Sequence, residues 1–276
     1  MPRYEKNSPE LEVLMRNLDG SELTFLMSFG HCGIDWLHSI VLGHPDILIL
    51  PEFSFYRYTD EFYQKGYSST KSLAEFWLDR LLDNDNHEEA FFANAKEAEI
   101  FRAELIGMTT RQSSRKSVFI AIHNAYCLAK NIDINDKKIV VHEHVCFYYS
   151  EILEDFVNPN LLMIVRDPRA SLAGYFRGFK RKFTKDKPHF FDHYFNMCFD
   201  EWFCARQIYY RFRHDENINL FCVKNEDLVA DRKSSVTKIA EWLGIPFDES
   251  LMHNNSSYDH RVWRIDPCYH SRKTAS

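Results

Sequence analysis

The sequence has no glycine-, serine- or proline-rich linker, no internal repeat, and no apolar run that approaches the length of a membrane span. It also has no excess of basic residues, because 34 Lys and Arg stand against 40 Asp and Glu, a net charge of −6. These absences predict one domain over residues 1–276, and they argue against a nucleic-acid partner or a membrane span. Any affinity for anions must come from a local arrangement of cationic side chains and backbone N–H groups.

Targeting and disulfide signals are missing as well. Residues 1–21 are polar, are interrupted by Pro2 and Pro9, and contain no apolar core of signal-peptide length. The seven cysteines are an odd number, scattered and often inside apolar runs, which indicates reduced thiols rather than a disulfide framework. We therefore expect a cytoplasmic protein.

Short apolar runs alternate with segments of helical spacing along most of the chain. The runs that predict strands cover residues 23–29, 47–50, 139–145, 161–165 and 219–223. The segments that predict helices cover residues 34–42, 73–82, 87–106, 114–130, 152–156, 194–212 and 234–243. Such alternation predicts an α/β protein with a central parallel sheet and helices on both faces.

The fourth predicted strand, residues 161–165, ends in Arg166-Asp167-Pro168-Arg169. A helical pattern starts directly afterwards, so the two arginines lie where a buried strand leads into a helix N-terminus. Ligands bind at this place in open α/β sheets, and free N–H groups there favour phosphate or sulfate. The alternative is a structural ion pair between an arginine and Asp167. The junction therefore predicts an anion site.

Three segments together resemble the sulfotransferase superfamily, whose members use 3′-phosphoadenosine-5′-phosphosulfate (PAPS) on a P-loop-like α/β fold. Residues 23–37, with Gly43-His44-Pro45 after them, are similar to the strand–loop–helix that holds the 5′-phosphosulfate. Residues 164–169 are similar to the junction that holds the 3′-phosphate. Residues 223–231 and 242–247 resemble the late strand of the family, its acidic turn and the following helix.

The resemblance implies a P-loop-like three-layer fold with a central parallel sheet and a helical insertion at roughly residues 54–137. It implies a sulfotransferase that moves a sulfuryl group from PAPS to a hydroxyl or amine of a small-molecule or glycan acceptor. The implied loop for the 5′ end of PAPS comprises Gly30, His31, Cys32, Gly33, Ile34 and Asp35. The resemblance also implies that Arg166 grips the 3′-phosphate, and that Arg261 and Arg264 lie in a C-terminal loop that folds over the nucleotide.

The chain departs from the family pattern in both anion-binding segments. His31 and Cys32 stand near the basic and serine positions of the loop, and Ile34-Asp35 replace two threonines. An aspartate at close range repels a phosphosulfate unless it is turned away or paired. The serine expected eight residues after Arg166 is glycine, and Ser171, one helical turn earlier, is the candidate substitute.

Candidate catalytic groups come from two places in the chain. His144 or His142, at the end of the third strand, could accept the proton of the acceptor. Alternation places these histidines and Cys146 on one strand face, so a metal site is the competing interpretation, although the sulfotransferase scheme requires no metal. His31 could replace the missing cation of the loop, or simply cap the next helix.

Other features have simpler alternatives. Cys32 could be a nucleophile at a helix N-terminus, but no second cysteine lies nearby. Asp35 could be an acid–base group or a favourable charge in the first helical turn. The aromatic residues at 190–195 and 202–210 favour core packing over an acceptor platform.

Three other functions remain open at this point. The first is a nucleotide-binding protein of the same fold that has lost transfer activity, which the residues Ile34, Asp35 and Gly174 favour. The second is a small-molecule kinase, which the absence of a G-x-x-x-x-G-K-[ST] sequence disfavours. The third is a metal-dependent hydrolase built on His142, His144 and Cys146.

Overall fold

The structure, a computed structural model, describes residues 23–82, 91–134, 136–179, 190–215 and 218–253. Five strands form one sheet in these ranges. They are β1 (Leu23–Ser28), β2 (Ile47–Leu50), β3 (Lys138–Val145), β4 (Asn160–Val165) and β5 (Asn219–Lys224). Each begins and ends within two residues of its predicted bounds, since short apolar runs with turn residues at their ends predict buried strands well.

All strand pairs are parallel, and the order across the sheet is β2-β3-β1-β4-β5. Strand β1 therefore lies at the centre, between β3 and β4, and its six residues are all buried. The parallel sheet with helices on both sides confirms the predicted α/β, P-loop-like fold. Because all strands point the same way, their carboxyl ends meet at one edge of the sheet, where ligands bind in such folds.

The helices connect the strands and pack on the sheet. They are α1 (Ile34–Val41), α2 (Phe55–Gln64), α3 (Leu73–Leu82), α4 (Ala95–Met108), α5 (Arg115–Lys130), α6 (Tyr149–Asp155), α7 (Pro168–Phe179), α8 (Phe190–Phe212), α9 (Asn225–Ala230) and α10 (Arg232–Leu243). Helices α2 to α5 all lie between β2 and β3, where the helical insertion was predicted.

Side-chain caps explain several helix starts. Ser114 accepts from the N–H of Ser117, and Asp231 accepts from that of Ser234. The helix predicted from residue 87 is wrong at its start within the described residues, because Asn94 caps the N–H of Glu97 and α4 begins at Ala95.

The prediction of core packing for the aromatic residues of α8 is wrong in part. Ile208 and Phe212 are buried, but several aromatic side chains are between 38% and 54% exposed. These are Phe195, Phe199, Phe203, Tyr209 and Tyr210. The helix covers the sheet with one face only, so a run that is aromatic on every side leaves part of itself on the surface. In the part of the chain that the structure describes, every helix is too short or too polar to cross a lipid bilayer.

Candidate active site

The loop between β1 and α1 lies at the carboxyl edge of the sheet, directly after the central strand. Residues 29–33 form it, and α1 begins at Ile34. His31 has φ +56° and Gly33 has φ +102°, both in the left-handed region. A chain that turns this tightly from a strand into a helix presents backbone N–H groups toward the helix N-terminus, an arrangement that binds anions.

Two glycines of the loop are required by close packing. An added Cβ on Gly30 would overlap the hydroxyl of Tyr175, and one on Gly33 would overlap the side-chain nitrogen of Asn225. Asn225 Nδ2 also donates to the carbonyl of Cys32 over 2.8 Å. The loop is therefore packed between the first turn of α9 and the inner side of α7.

A carboxylate from α8 binds the loop. Glu201 Oε2 accepts from the N–H of Gly30 over 2.8 Å and from the hydroxyl of Tyr175 over 2.7 Å. Glu201 is only 6% exposed, and burial together with its charge raises the pKa of Tyr175, so the tyrosine stays a donor. One N–H group of the loop is thus already bound to an acid.

Cys32 is a packed thiol. Its side chain is fully buried, its sulfur contacts Ser28 Oγ, and Ser28 Oγ in turn donates to the carbonyl of Ile164 over 2.6 Å. Burial raises the pKa of the Cys32 thiol to about 12. A neutral thiol without solvent access is a poor nucleophile, so the thiol-enzyme interpretation is not supported. All six cysteines in the described ranges are free, as predicted.

His31 packs closely against Gly174 and Tyr175. The exposed ring of His31 lies edge-on to Tyr175, with 4.3 Å between the ring centroids. A Cβ on Gly174 would come within 3.1 Å of His31 Cβ. A larger residue at position 174 would therefore press on His31.

Arg166 reaches the loop from the end of β4. Its Nη1 donates to the carbonyl of His31 over 3.0 Å, so the cation of the second segment lies beside the loop of the first. A guanidinium carries five N–H donors, which leaves donors for a phosphate. The side chain is partly exposed, as an anion ligand must be.

Arg169 has the structural role that was the alternative to anion binding. It forms an ion pair with Asp167 at 2.5 Å, and its side chain is 90% exposed. Hydrogen bonds from Arg169 lower the pKa of Asp167 to about 2. The turn is closed by Glu226, whose Oε1 accepts from the N–H of Asp167 over 3.0 Å.

Ser171 lies in the first turn of α7 and is fully buried. Its hydroxyl has no hydrogen-bond partner among the residues that the structure describes. A buried hydroxyl without a partner costs about 1–3 kcal/mol, so such groups in a folded protein call for an explanation. A ligand oxygen at the Arg166 junction would provide one.

The predicted histidine face of β3 is interrupted. Three residue steps on β3, from His142 to Val145, match two steps on β1, from Leu26 to Ser28. This bulge breaks the alternation on which the shared face of His142, His144 and Cys146 was predicted. Cys146 donates to the carbonyl of Glu201 over 3.6 Å, and the side chain of His144 lies outside the described residues.

His142 is fully buried, and its Nδ1 lies 2.8 Å from Nδ1 of His38 on α1. Glu143, the next residue, turns the other way and accepts from the N–H of Phe55 over 2.9 Å, which holds the start of α2. Arg261 and Arg264 lie outside the described residues, so their predicted place over the nucleotide remains a prediction.

Sequence reasoning missed Glu201, His38 and Asn225 as site residues. A signal for Glu201 was its position among the aromatic residues of α8, because a glutamate in such surroundings is buried only when it is paired. The partners of the other two are distant in sequence, and no local pattern links them.

Comparison with known proteins agrees with this geometry. A family model described as "Sulfotransferase family" matches residues 24–249, which cover most of the chain. No curated protein matches the chain. Among solved structures, the sulfotransferase domain of the Synechococcus PCC 7002 olefin synthase is 19% identical, with a TM-score of 0.52, over 97% of this chain and 86% of that one. The sulfotransferase domain from the curacin biosynthetic pathway is 15% identical, with a TM-score of 0.51, over 89% and 82%.

Proposed function

Because the chain belongs to the sulfotransferase family, we propose that it transfers a sulfuryl group from PAPS to a hydroxyl or amine of a small-molecule or glycan acceptor. One observation carries the proposal: Arg166, at the end of β4, contacts the backbone of the loop after β1. The two segments that resemble the family's PAPS site are therefore neighbours in space, at the sheet edge where ligands of this fold class bind.

The residues present fit the 3′-phosphate end of PAPS. Arg166 suits bidentate binding of a phosphate, and the buried hydroxyl of Ser171 offers a donor one helical turn beyond the junction. The fit at the 5′ end is weaker, because Asp35 brings a negative charge to the start of α1. There we assign anion binding to His31 and to the backbone N–H groups of residues 31–33, because the N–H of Gly30 is bound to Glu201.

PAPS supplies the sulfuryl group, and 3′,5′-ADP is the leaving product. The acceptor oxygen or nitrogen forms the new bond to sulfur while the sulfur–oxygen bond to the phosphate breaks. We assign removal of the acceptor proton to His144, because His142 is buried against His38. His31 and the loop N–H groups would stabilise the negative charge that develops on the phosphate.

Calorimetric titration with 3′,5′-ADP tests the proposal, with AMP and ATP as comparison ligands. We expect selective binding of 3′,5′-ADP that Arg166→Ala weakens by about 100-fold or more, since a charge-assisted bidentate contact contributes about 3 kcal/mol. Arg169→Ala is the matched control, because that arginine pairs with Asp167 on the surface. Its affinity should equal that of the wild type.

Two results would contradict the proposal. A folded wild-type protein that does not bind 3′,5′-ADP has no PAPS site of this type. Equal losses of 3′,5′-ADP affinity in Arg166→Ala and Arg169→Ala would show that the total positive charge, rather than the position of Arg166, determines binding.

A nucleotide-binding protein without transfer activity is the second candidate, and the carboxylate of Glu201 favours it. This acid takes the N–H of Gly30, a donor that an anion on the loop would otherwise use. Release of 3′,5′-ADP from PAPS in the presence of hydroxyl- and amine-bearing acceptors distinguishes the two. Tight binding of 3′,5′-ADP without release across acceptor classes would favour the second candidate.

A further inference from the structure

Three side chains from distant parts of the sequence converge near the first turn of α1. One ligand atom from each of Asp35, Glu52 and His142 lies within 4.8 Å of the others. The sheet explains the convergence, because β2 and β3 pair at Leu50 and Val141. Glu52 follows two residues after the end of β2, and His142 follows Val141 on β3. Asp35 reaches them from the first turn of α1.

The carboxylate of Asp35 supplies a second, independent observation. Its Oδ1 is buried and has no hydrogen-bond partner in the part of the chain that the structure describes. A buried carboxylate oxygen without a donor is costly, because it has lost water and gained nothing in return. A cation bound at this place would satisfy it.

His142 is oriented as a metal ligand would be. It is fully buried, and its Nδ1 lies 2.8 Å from Nδ1 of His38, so one ring donates and the other accepts. When His142 donates through Nδ1, its Nε2 carries the lone pair that a metal ion needs, and an outer-shell partner of this kind is typical of ligating histidines.

Distances and donor types agree with a metal ion. Oxygen and nitrogen ligands lie about 2.0–2.2 Å from a tetrahedral Zn²⁺, so two ligand atoms are about 3.3–3.6 Å apart. The three atoms lie within 4.8 Å of one another. Side-chain rotations that move each atom by about 1 Å or less would bring them into that range. Two carboxylates and one imidazole are hard and borderline donors, which suit Zn²⁺ or Mn²⁺ better than a thiol-seeking ion.

We propose that Asp35, Glu52 and His142 bind one divalent transition-metal ion, Zn²⁺ or Mn²⁺, at the carboxyl edge of the sheet. The ion offsets the charge of Asp35 and places a dication beside the start of α1. There it would attract the 5′ end of PAPS, where the sequence lacks the basic residue of the family. This second consequence rests on the proposed function, whereas the metal site itself does not.

Metal titration of the full chain tests the site. We would strip the purified protein with a chelator, titrate Zn²⁺, Mn²⁺ and Mg²⁺ by calorimetry, and measure bound metal by mass spectrometry. We expect one Zn²⁺ or Mn²⁺ per chain, with an affinity at least tenfold lower in Asp35→Asn and in Glu52→Gln. Both substitutions keep the size of the side chain and remove one anionic ligand.

Asp79→Asn is the matched control, because Asp79 is exposed and pairs with Lys71 on the surface. Its metal affinity should equal that of the wild type. Circular dichroism would establish that each variant is folded, and Glu52→Gln serves if Asp35→Asn does not fold. Failure of the wild type to bind either transition metal would overturn the site, as would affinities that are the same in all variants.

A second titration separates the metal site from the proposed function. We would measure 3′,5′-ADP affinity with and without the bound ion, in the wild type and in Asp35→Asn. Tighter nucleotide binding with the ion in the wild type alone supports the coupling. Equal 3′,5′-ADP affinity with and without the ion would overturn the coupling. Metal binding without any nucleotide binding would overturn the proposed function, while the metal site would stand.

Discussion

The loop after β1 and the turn after β4 are neighbours at the same sheet edge, yet they are built differently. The loop is packed: Cys32 is buried, Gly30 binds Glu201, and Gly33 lies against Asn225. The turn is open, with Arg169 on the surface and Arg166 partly exposed. The comparison teaches that, of these two segments, the loop is closed around its own packing contacts, whereas the turn leaves a guanidinium exposed at the sheet edge.

Gly30→Ala should have the largest effect on the stability of the protein, because the loop has no space for a Cβ at this position. The new atom would overlap the hydroxyl of Tyr175 and lie 3.1 Å from Glu201 Oε2. We expect the free energy of unfolding to fall by about 2–3 kcal/mol, as for other insertions into packed sites. Urea denaturation measures this fall.

Gly107→Ala is the control for that substitution, since a Cβ on this helical glycine meets nothing within 4 Å. It should leave the stability unchanged or raise it by about 0.5–1 kcal/mol. Equal destabilisation by both substitutions would show that the loop is not the packed region that the comparison requires.

Glu201→Gln tests whether the carboxylate at the packed loop opposes the binding of an anion there. The amide keeps an oxygen for the N–H of Gly30 and removes the negative charge. Loss of one such charge near an anion site is worth about 1–2 kcal/mol, so we expect 3′,5′-ADP to bind about tenfold more tightly. Calorimetry measures the change, and Glu241→Gln, on the exposed side of α10, is the control.

An unchanged affinity in Glu201→Gln would mean that the carboxylate does not oppose the anion. In that case the second candidate function would lose the observation that favours it.

The smallest effect should come from Gly174→Ser, which places in α7 the serine that the resemblance to the family leads us to expect. The added Cβ would press on His31 Cβ at 3.1 Å, and we expect a cost of about 1 kcal/mol. The cost should disappear when His31→Gly is made in the same chain. A double-mutant cycle of unfolding free energies measures the coupling, and additive effects would show that the two positions are independent.

The sequence predicted the fold, and it predicted the position of Arg166 at the end of β4, beside the loop after β1. Strand and helix positions follow from local apolar periodicity, and the capping residues Asp231 and Gly244 mark one helix correctly at both ends. Arg166 was found because it directly follows a buried strand, and this local pattern fixes its place at the sheet edge.

The remaining contacts of the site join residues that are distant in sequence, so no local pattern contains them. Whether Glu201 meets Gly30, or His38 meets His142, is decided by how α8 and α1 pack on the sheet. The shared face predicted for β3 depends on a regular alternation, which a bulge interrupts by shifting the register by one residue after His142. A single added residue reverses the face of every side chain beyond it, and the spacing of the sequence does not show it.

The partners of the loop also determine when it can form during folding. Ser28, Gly30 and Cys32 are held by residues that lie 136, 171 and 193 positions further along the chain. Contacts of such long sequence separation close late, after local helices and strand pairs have formed. In a refolding experiment, helical signal should therefore return before the ability to bind 3′,5′-ADP. The site would be among the last parts of the molecule to be completed, and a chain interrupted before α9 would have a sheet without a finished loop.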